Sequence, residues 1–168
     1  MRESWVSHLE ARSASYLNND LQLSGAERDE LASLISWLPE VIVDAHVHTS
    51  RARELLSPLP VTLERHMMST YVDHGLESSR LRRRALGLPP TWSSIRFGHV
   101  YPTLDRRQVN NYLLKNSPPG DGVVGLGVLD DTDYTLRLIN RPDVLGLKMY
   151  PTDVAASVIH VTDYYPEA

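Results

Sequence analysis

The sequence predicts an α/β protein organised around a parallel β-sheet, and three observations carry that prediction. From residue 41 onward, four short apolar runs alternate with segments of helical periodicity, and parallel neighbours need such crossover segments between them. The runs are strand length; the longest, Val123 to Leu129, is far too short for a membrane span. Proline and glycine punctuate the pattern at Pro89-Pro90, Pro102, Pro118-Pro119-Gly120 and Pro151. With 168 residues, 42% of them hydrophobic, the chain is long enough for one domain with a real core.

Residues 1–38 read as a helical extension, and residues 39–168 as the β/α part. Trp5, Leu9, Arg12 and Tyr16 recur at helical steps. Ser24-Gly25-Ala26-Glu27 fits a capping box, in which the Ser24 hydroxyl accepts the Glu27 amide and the Glu27 carboxylate reaches back. Leu31, Leu34, Ile35 and Leu38 follow, and Pro39 ends the segment. Val41 to His48 is the first strand. Helical patterns cover Thr62 to Gly75 and Glu77 to Leu86. Ile95 to Tyr101 is the second strand, and Asp105 caps a helix ending near Asn116. Val123 to Leu129, a short helix over Asp131 to Asn140, and Val144 to Tyr150 complete the series.

Composition excludes several classes. There are no cysteines, so disulfide scaffolds, zinc ribbons and a cysteine nucleophile are out. A net charge of -4 gives no global basic field for nucleic acid. No basic start with an apolar stretch behind it opens the chain, and the expectation is a cytoplasmic protein without membrane contact. Only two lysines, Lys115 and Lys148, stand against fifteen arginines.

Chemistry concentrates at two strand ends. In Asp44-Ala45-His46-Val47-His48, strand alternation would put Asp44, His46 and His48 on one face. Two imidazoles two residues apart can converge on one divalent cation, with Asp44 orienting a ligand behind them. Lys148 ends the fourth run inside apolar sequence, where a bare ammonium is expensive. It can carry a carbamate that bridges metal ions, or it can reach the rim and pair with Asp130 or Asp131.

Together these two elements resemble the amidohydrolase superfamily of metal-dependent hydrolases, which are built on a (β/α)8 TIM barrel. His46 and His48 match the His-x-His that closes the first barrel strand, and Lys148 matches the lysine ending the fourth. Leu147 to Pro151 with Val161-Thr162-Asp163 is similar to dihydroorotase-type members, and Leu63 to Leu114 to the decarboxylase and lactonase-type branch. The resemblance implies a partial barrel of about four β-α units in residues 39–168, the N-terminal half. It implies one or two divalent ions, Zn2+ first, held by His46, His48 and Lys148. It further implies hydrolysis of C–N or C–O bonds in a small cyclic amide, lactone or carboxylated ring by metal-activated water. Asp44, His99, Asp130 and Tyr150 are the pocket candidates around them. Family members draw further ligands from strands five and six and a shuttle aspartate from strand eight, so the catalytic residue is unassigned in this chain. Arg51 is displaced from the Leu-Arg pair that follows His-x-His in dihydroorotases. Little turnover is expected from this chain alone, and a second chain or a homo-oligomer could complete the barrel. The alternatives are a non-catalytic truncated barrel serving as an assembly module, and a single-metal decarboxylase of the same superfamily.

Weaker signals read as structure. Gly120 to Gly125 matches G-x-G-x-x-G but opens a strand, so it is no dinucleotide fingerprint. Arg80, Arg82, Arg83 and Arg84 read as a solvated helix face. Asp130, Asp131 and Asp133 lie on the active rim of such a sheet, where capping by Asp131 or Thr132 explains them most cheaply. His66 and His74 fall on a predicted helix, with packing or solvent as their role. No G-x-S-x-G elbow or P-loop is present.

Overall fold

The computed structural model describes residues 2–20, 22–59, 73–89, 91–99, 103–128 and 130–149. Its elements run α1 (Arg2–Asp20), α2 (Gly25–Ile35), β1 (Ile42–His48), a 3-10 turn (Ala52–Glu54), α3 (Leu76–Ala85), β2 (Trp92–Phe97), α4 (Arg106–Asn116), β3 (Gly122–Leu126), α5 (Thr132–Ile139) and β4 (Gly146–Lys148). The four strands form one parallel sheet in the order β1-β2-β3-β4. The α/β class and parallel sheet foreseen from the alternation are therefore present. Strand bounds differ: β2 begins at Trp92 and ends at Phe97, and β4 is only three residues long. The helical segment expected over residues 62–75 lies largely outside the described residues.

Local chemistry sets the helix ends. The Ser24 capping box forms, with the Ser24 amide donating to Glu27 Oε2 at 2.7 Å and the Glu27 amide donating to Ser24 Oγ at 3.3 Å. Asp105 caps α4 by accepting the Gln108 amide, and Asp131 caps α5 by accepting the Tyr134 amide at 2.9 Å. In α1 the buried stripe is Leu9, Ser13 and Leu17, with Trp5 and Val6 packed against the core. The expected Tyr16 is exposed, because i, i+4 steps from Leu9 run through Ser13 instead.

The helical prefix is part of the same core as the sheet. Leu9 belongs to one buried cluster with Ala52, Leu55, Leu76, Val109, Leu113, Val123 and Leu126. Ser13 Oγ accepts the Asp73 amide at 3.2 Å, and Glu10 pairs with Arg53. By contrast α2 buries no residue, and Leu34, Trp37 and Leu38 at its end are exposed.

Right-handed crossovers between sequential parallel strands put α3, α4 and α5 on a single face of the sheet. Close packing there is visible at two glycines. A Cβ on Gly98 would meet Val109 Cγ1 at 2.6 Å and Leu126 Cδ1 at 2.7 Å, and one on Gly125 would meet Leu138 Cδ2 at 2.6 Å. Overpacking of this kind costs about 1–3 kcal/mol. Gly98→Ala is expected to lower the unfolding free energy by about that amount, measured as a shift in urea midpoint at constant m-value.

The same face carries a buried ion pair. Arg96 and Asp121 side chains are 1% and 2% exposed and joined from Arg96 Nε to Asp121 Oδ2. Asp121 Oδ1 accepts the Ser94 amide at 2.7 Å, while Arg96 donates to Thr49 Oγ1 at 3.3 Å and Ser79 Oγ at 3.2 Å. One guanidinium thus ties the end of β1, α3, β2 and the start of β3 together.

Candidate metal centre and adjoining cavity

Strand register decides which side chains meet. Asp44 pairs with Ser94, whereas Val47 pairs with Arg96 and His48 with Phe97, so β1 holds one extra residue between Asp44 and Val47. Such a bulge reverses the alternation. Asp44 consequently shares the helix-covered face with Ser94 and Arg96, while His48 shares the opposite face with Phe97. The single face expected for Asp44, His46 and His48 is corrected by this irregularity. Asp44 Oδ1 accepts the His46 backbone amide at 3.2 Å, and its charge acts on Arg83.

His46 and His48 do come together, with ring centroids 5.1 Å apart. Phe97 stands edge-on to both, at 4.7 Å and 4.6 Å, and His99 stacks on His48 at 4.4 Å. Lys148 reaches this group from β4, its Nζ lying 3.6 Å from the centre of the Phe97 ring. The strand-end histidines and the lysine 100 positions later thus meet at one mouth, with Phe97 between them. Lys148 rests on that ring as a cation–π contact, and Asp131 pairs with Arg107.

Burial keeps the rings of His48, His74 and His99 neutral. It pushes His48 down to about 4, with the charges of Lys148 and His46 adding to the effect. It pushes His99 down to about 3, helped by His48, His74 and Lys148. His74 falls to about 4 through burial and the charges of Arg82, Arg96 and His48. Burial also lowers Lys148. A neutral ring is the form that binds a metal. His48 hydrogen-bonds the Gly98 backbone, and its Nδ1 is buried without a hydrogen-bond partner. The tautomer assigned from these partners has Nε2–H donating to the Gly98 carbonyl and the Nδ1 lone pair unused.

A cavity of about 450 Å³ adjoins the histidines. His46, His48, His74 and His99 line it together with Asp44, Arg82 and Arg83, and Leu86, Leu88 and Trp92 form an apolar end. His74 was expected on a helix; it precedes α3 and bridges to Ser50 instead. Arg82 and Arg83 were expected on a solvated face, and that holds only for Arg80 and Arg84. The stripe Leu76, Ser79, Arg83 at i, i+3, i+7 turns Arg83 to the sheet, where it donates to the Trp92 carbonyl at 2.6 Å and to Ser94 Oγ. Extending that stripe past Leu76 would have revealed it from sequence.

The remaining candidates lie elsewhere. Asp130 is exposed in the turn before α5 and does not line the cavity. Tyr150 and His66 are outside the described residues. Arg51 pairs with buried Glu54 at 2.8 Å, lies over the Tyr112 ring and does not line the cavity. Among the described residues, no group of three or more His, Asp or Glu side chains is arranged to hold a metal ion, and no helix is long and apolar enough to cross a membrane. Compared with family models, curated proteins and solved structures, the chain matches none of them.

Proposed function

We propose that the chain is the N-terminal part of a metal-dependent hydrolase of the amidohydrolase type, acting on C–N or C–O bonds of a small cyclic amide, lactone or carboxylated ring. The observation that carries this reading is the His46–His48 pair at the carboxyl end of β1. Two imidazoles on one tetrahedral ion have ring centres roughly 5 Å apart, given bonds of about 2 Å, and these lie at 5.1 Å. The unused, buried Nδ1 of His48 suits the same role.

His46 and His48 would hold the ion, Zn2+ first among candidates. Bound there, it would supply a water of near-neutral pKa and a Lewis acid for the scissile carbonyl. The Gly98 carbonyl fixes the His48 ring from behind, and Phe97 together with stacked His99 restricts water on the inner side. Lys148 supports a positive mouth that favours an anionic ligand or a developing negative charge. Its seat on Phe97 favours a centre with one ion over a carbamate-bridged pair, and this is also what a single-metal decarboxylase of the same superfamily would use.

The sheet order fits a partial (β/α)8 barrel, since sequential parallel strands β1-β2-β3-β4 are the order of one barrel half. Among the described residues β1 and β4 each pair on one side only, which is where a second chain or a second copy would add strands.

Equilibrium dialysis against Zn2+ tests the assignment. Stoichiometric zinc is expected, weakened more than about a hundredfold in His46→Ala/His48→Ala, since loss of an outer-shell group alone costs about 10–100-fold. Lys148→Met is expected to retain the metal. Zinc binding that survives the double substitution, or none in the parent chain, would overturn the reading and favour a non-catalytic assembly module.

A further inference from the structure

We propose that the chain carries a second, separate ligand site: a polar cavity of about 390 Å³ between Arg51 and the exposed side of α4, which takes a phosphoryl group, free or on a small hydrophilic ester. Gln108, Asn111, Tyr112, Lys115 and Asn116 line it with Arg51, and none of these six borders the cavity beside the histidines. The inference goes beyond the hydrolase reading and does not rest on it.

The spacing in α4 builds one wall. Residues 108, 111, 112, 115 and 116 follow i, i+3, i+4, i+7 and i+8 steps, so they share a helix face. Tyr112 is the buried member of that face, and the other four are exposed. None of the described lining residues is acidic.

Arg51 forms the opposite wall, and it is held in place before any ligand arrives. Its Nε donates to Glu54 Oε1 at 2.8 Å, and Nη2 lies at the same distance from that oxygen. The guanidinium carbon sits 3.7 Å from the centre of the Tyr112 ring. That ring is itself pinned, since its hydroxyl accepts the Leu76 amide at 3.0 Å and donates to Glu77 Oε2 at 3.2 Å. A donor fixed in this way loses little rotamer entropy on binding. Glu54 engages Nε and Nη2, and the Nη1 donors make no hydrogen bond among the described residues.

The two cations divide the work. Glu54 is fully buried, does not line the cavity and offsets the guanidinium charge, so Arg51 contributes direction more than field. Lys115 contributes the field. It is one of two lysines in the chain and makes no ion pair or hydrogen bond among the described residues, which leaves three ammonium donors for a ligand. Asn111 is likewise unengaged among them. Gln108 and Asn116 each donate one bond, to Asp105 Oδ2 and to the Tyr112 carbonyl, and keep a further N–H.

That donor set selects the ligand class. A phosphoryl group brings a charge of about −1.5 to −2 near pH 7 and three acceptor oxygens. Those oxygens suit an ammonium, the Nη1 edge of a guanidinium and carboxamide N–H groups together. A carboxylate brings one charge and two oxygens. A ligand with an apolar body gains little, because no aliphatic residue is among the described lining residues and Arg51 covers the Tyr112 ring. The volume lies within the range of small-molecule sites.

NMR titration of the metal-free full chain, in chelator and at constant ionic strength, tests the site with inorganic phosphate, methyl phosphate and acetate. Phosphate is expected to shift the side-chain amide signals of Asn111 and Asn116 and the Arg51 Nε–H saturably, with acetate at least about tenfold weaker. Lys115→Gln, an exposed change that leaves the core untouched, is expected to weaken phosphate about tenfold, and Lys115→Arg to restore most of the loss. Tighter binding of methyl phosphate than of phosphate marks an ester as the ligand, and equal or weaker binding marks free phosphate; both uphold the phosphoryl site. No saturable shift, acetate as tight as phosphate, or unchanged affinity in Lys115→Gln would each overturn the proposal. So would a loss caused by Lys148→Met and not by Lys115→Gln, since the anion would then be sitting at the histidine mouth.

Discussion

Arg96→Met is expected to destabilise the fold by about 3–5 kcal/mol, the usual consequence of removing one member of a buried ion pair. Asp121 would keep only the Ser94 amide, and its buried Oδ2 would lose its cation. Thr49 and Ser79 would each lose the same donor. In a chain of this size each kcal/mol moves the melting temperature by roughly 2–4 °C, so a drop on the order of 10 °C or more should appear by calorimetry. Replacing both partners, Arg96→Met with Asp121→Leu, removes the stranded charge as well. The double variant should therefore lose less than Arg96→Met alone. A double variant less stable than the single one would mean that the Asp121 carboxylate, through its bond from the Ser94 amide, stabilises the fold even without its cation.

Acid is expected to unfold the metal-free protein well above the usual carboxylate range, and His74 is the group to follow. Its ring titrates near 6.5 in an unfolded chain and is pushed down to about 4 in the fold. The unfolded state therefore binds more protons between those values. The stability is fully present above about pH 6.5 and is lost as pH falls toward 4, by roughly 3 kcal/mol for this one ring. His48 and His99 shift in the same direction and add to the slope. Buried Glu54 and half-buried Asp73 work against it, because desolvation raises both carboxyls and favours their protonated forms. Denaturant midpoints between pH 7 and 4, in chelator, should fall steadily in the unaltered chain and less steeply in His74→Gln. Identical slopes in the two would show that the ring is already solvated in the fold.

The parts legible in the sequence share a physical basis. The Ser24 capping box, the Asp105 and Asp131 caps and the strand alternation are local patterns, fixed by a few neighbouring residues. The meeting of His46, His48 and Lys148 followed from the parallel topology, which brings strand carboxyl ends to one rim. What escaped depends on register and tertiary contact. The extra residue in β1 leaves no mark in the hydrophobic pattern, and it moved Asp44 to the other face. Arg96 carries no mark in the local pattern, and only its pairing with Asp121 across β2 and β3 makes it central. His74 fell near a helical pattern, and its bridge to Ser50 is a long-range pairing that no local period reports.

That additional residue in β1 also divides the labour along a single strand. Its leading part is answerable to the helical layer through Asp44 and Ser94, its trailing part to the open side through His48 and Phe97. The cavity straddles the border between the two and borrows a wall from each. Any slip of α3 against the sheet would therefore change the width of that cavity beside the imidazoles, so the packing of that helix also sets the room left next to them.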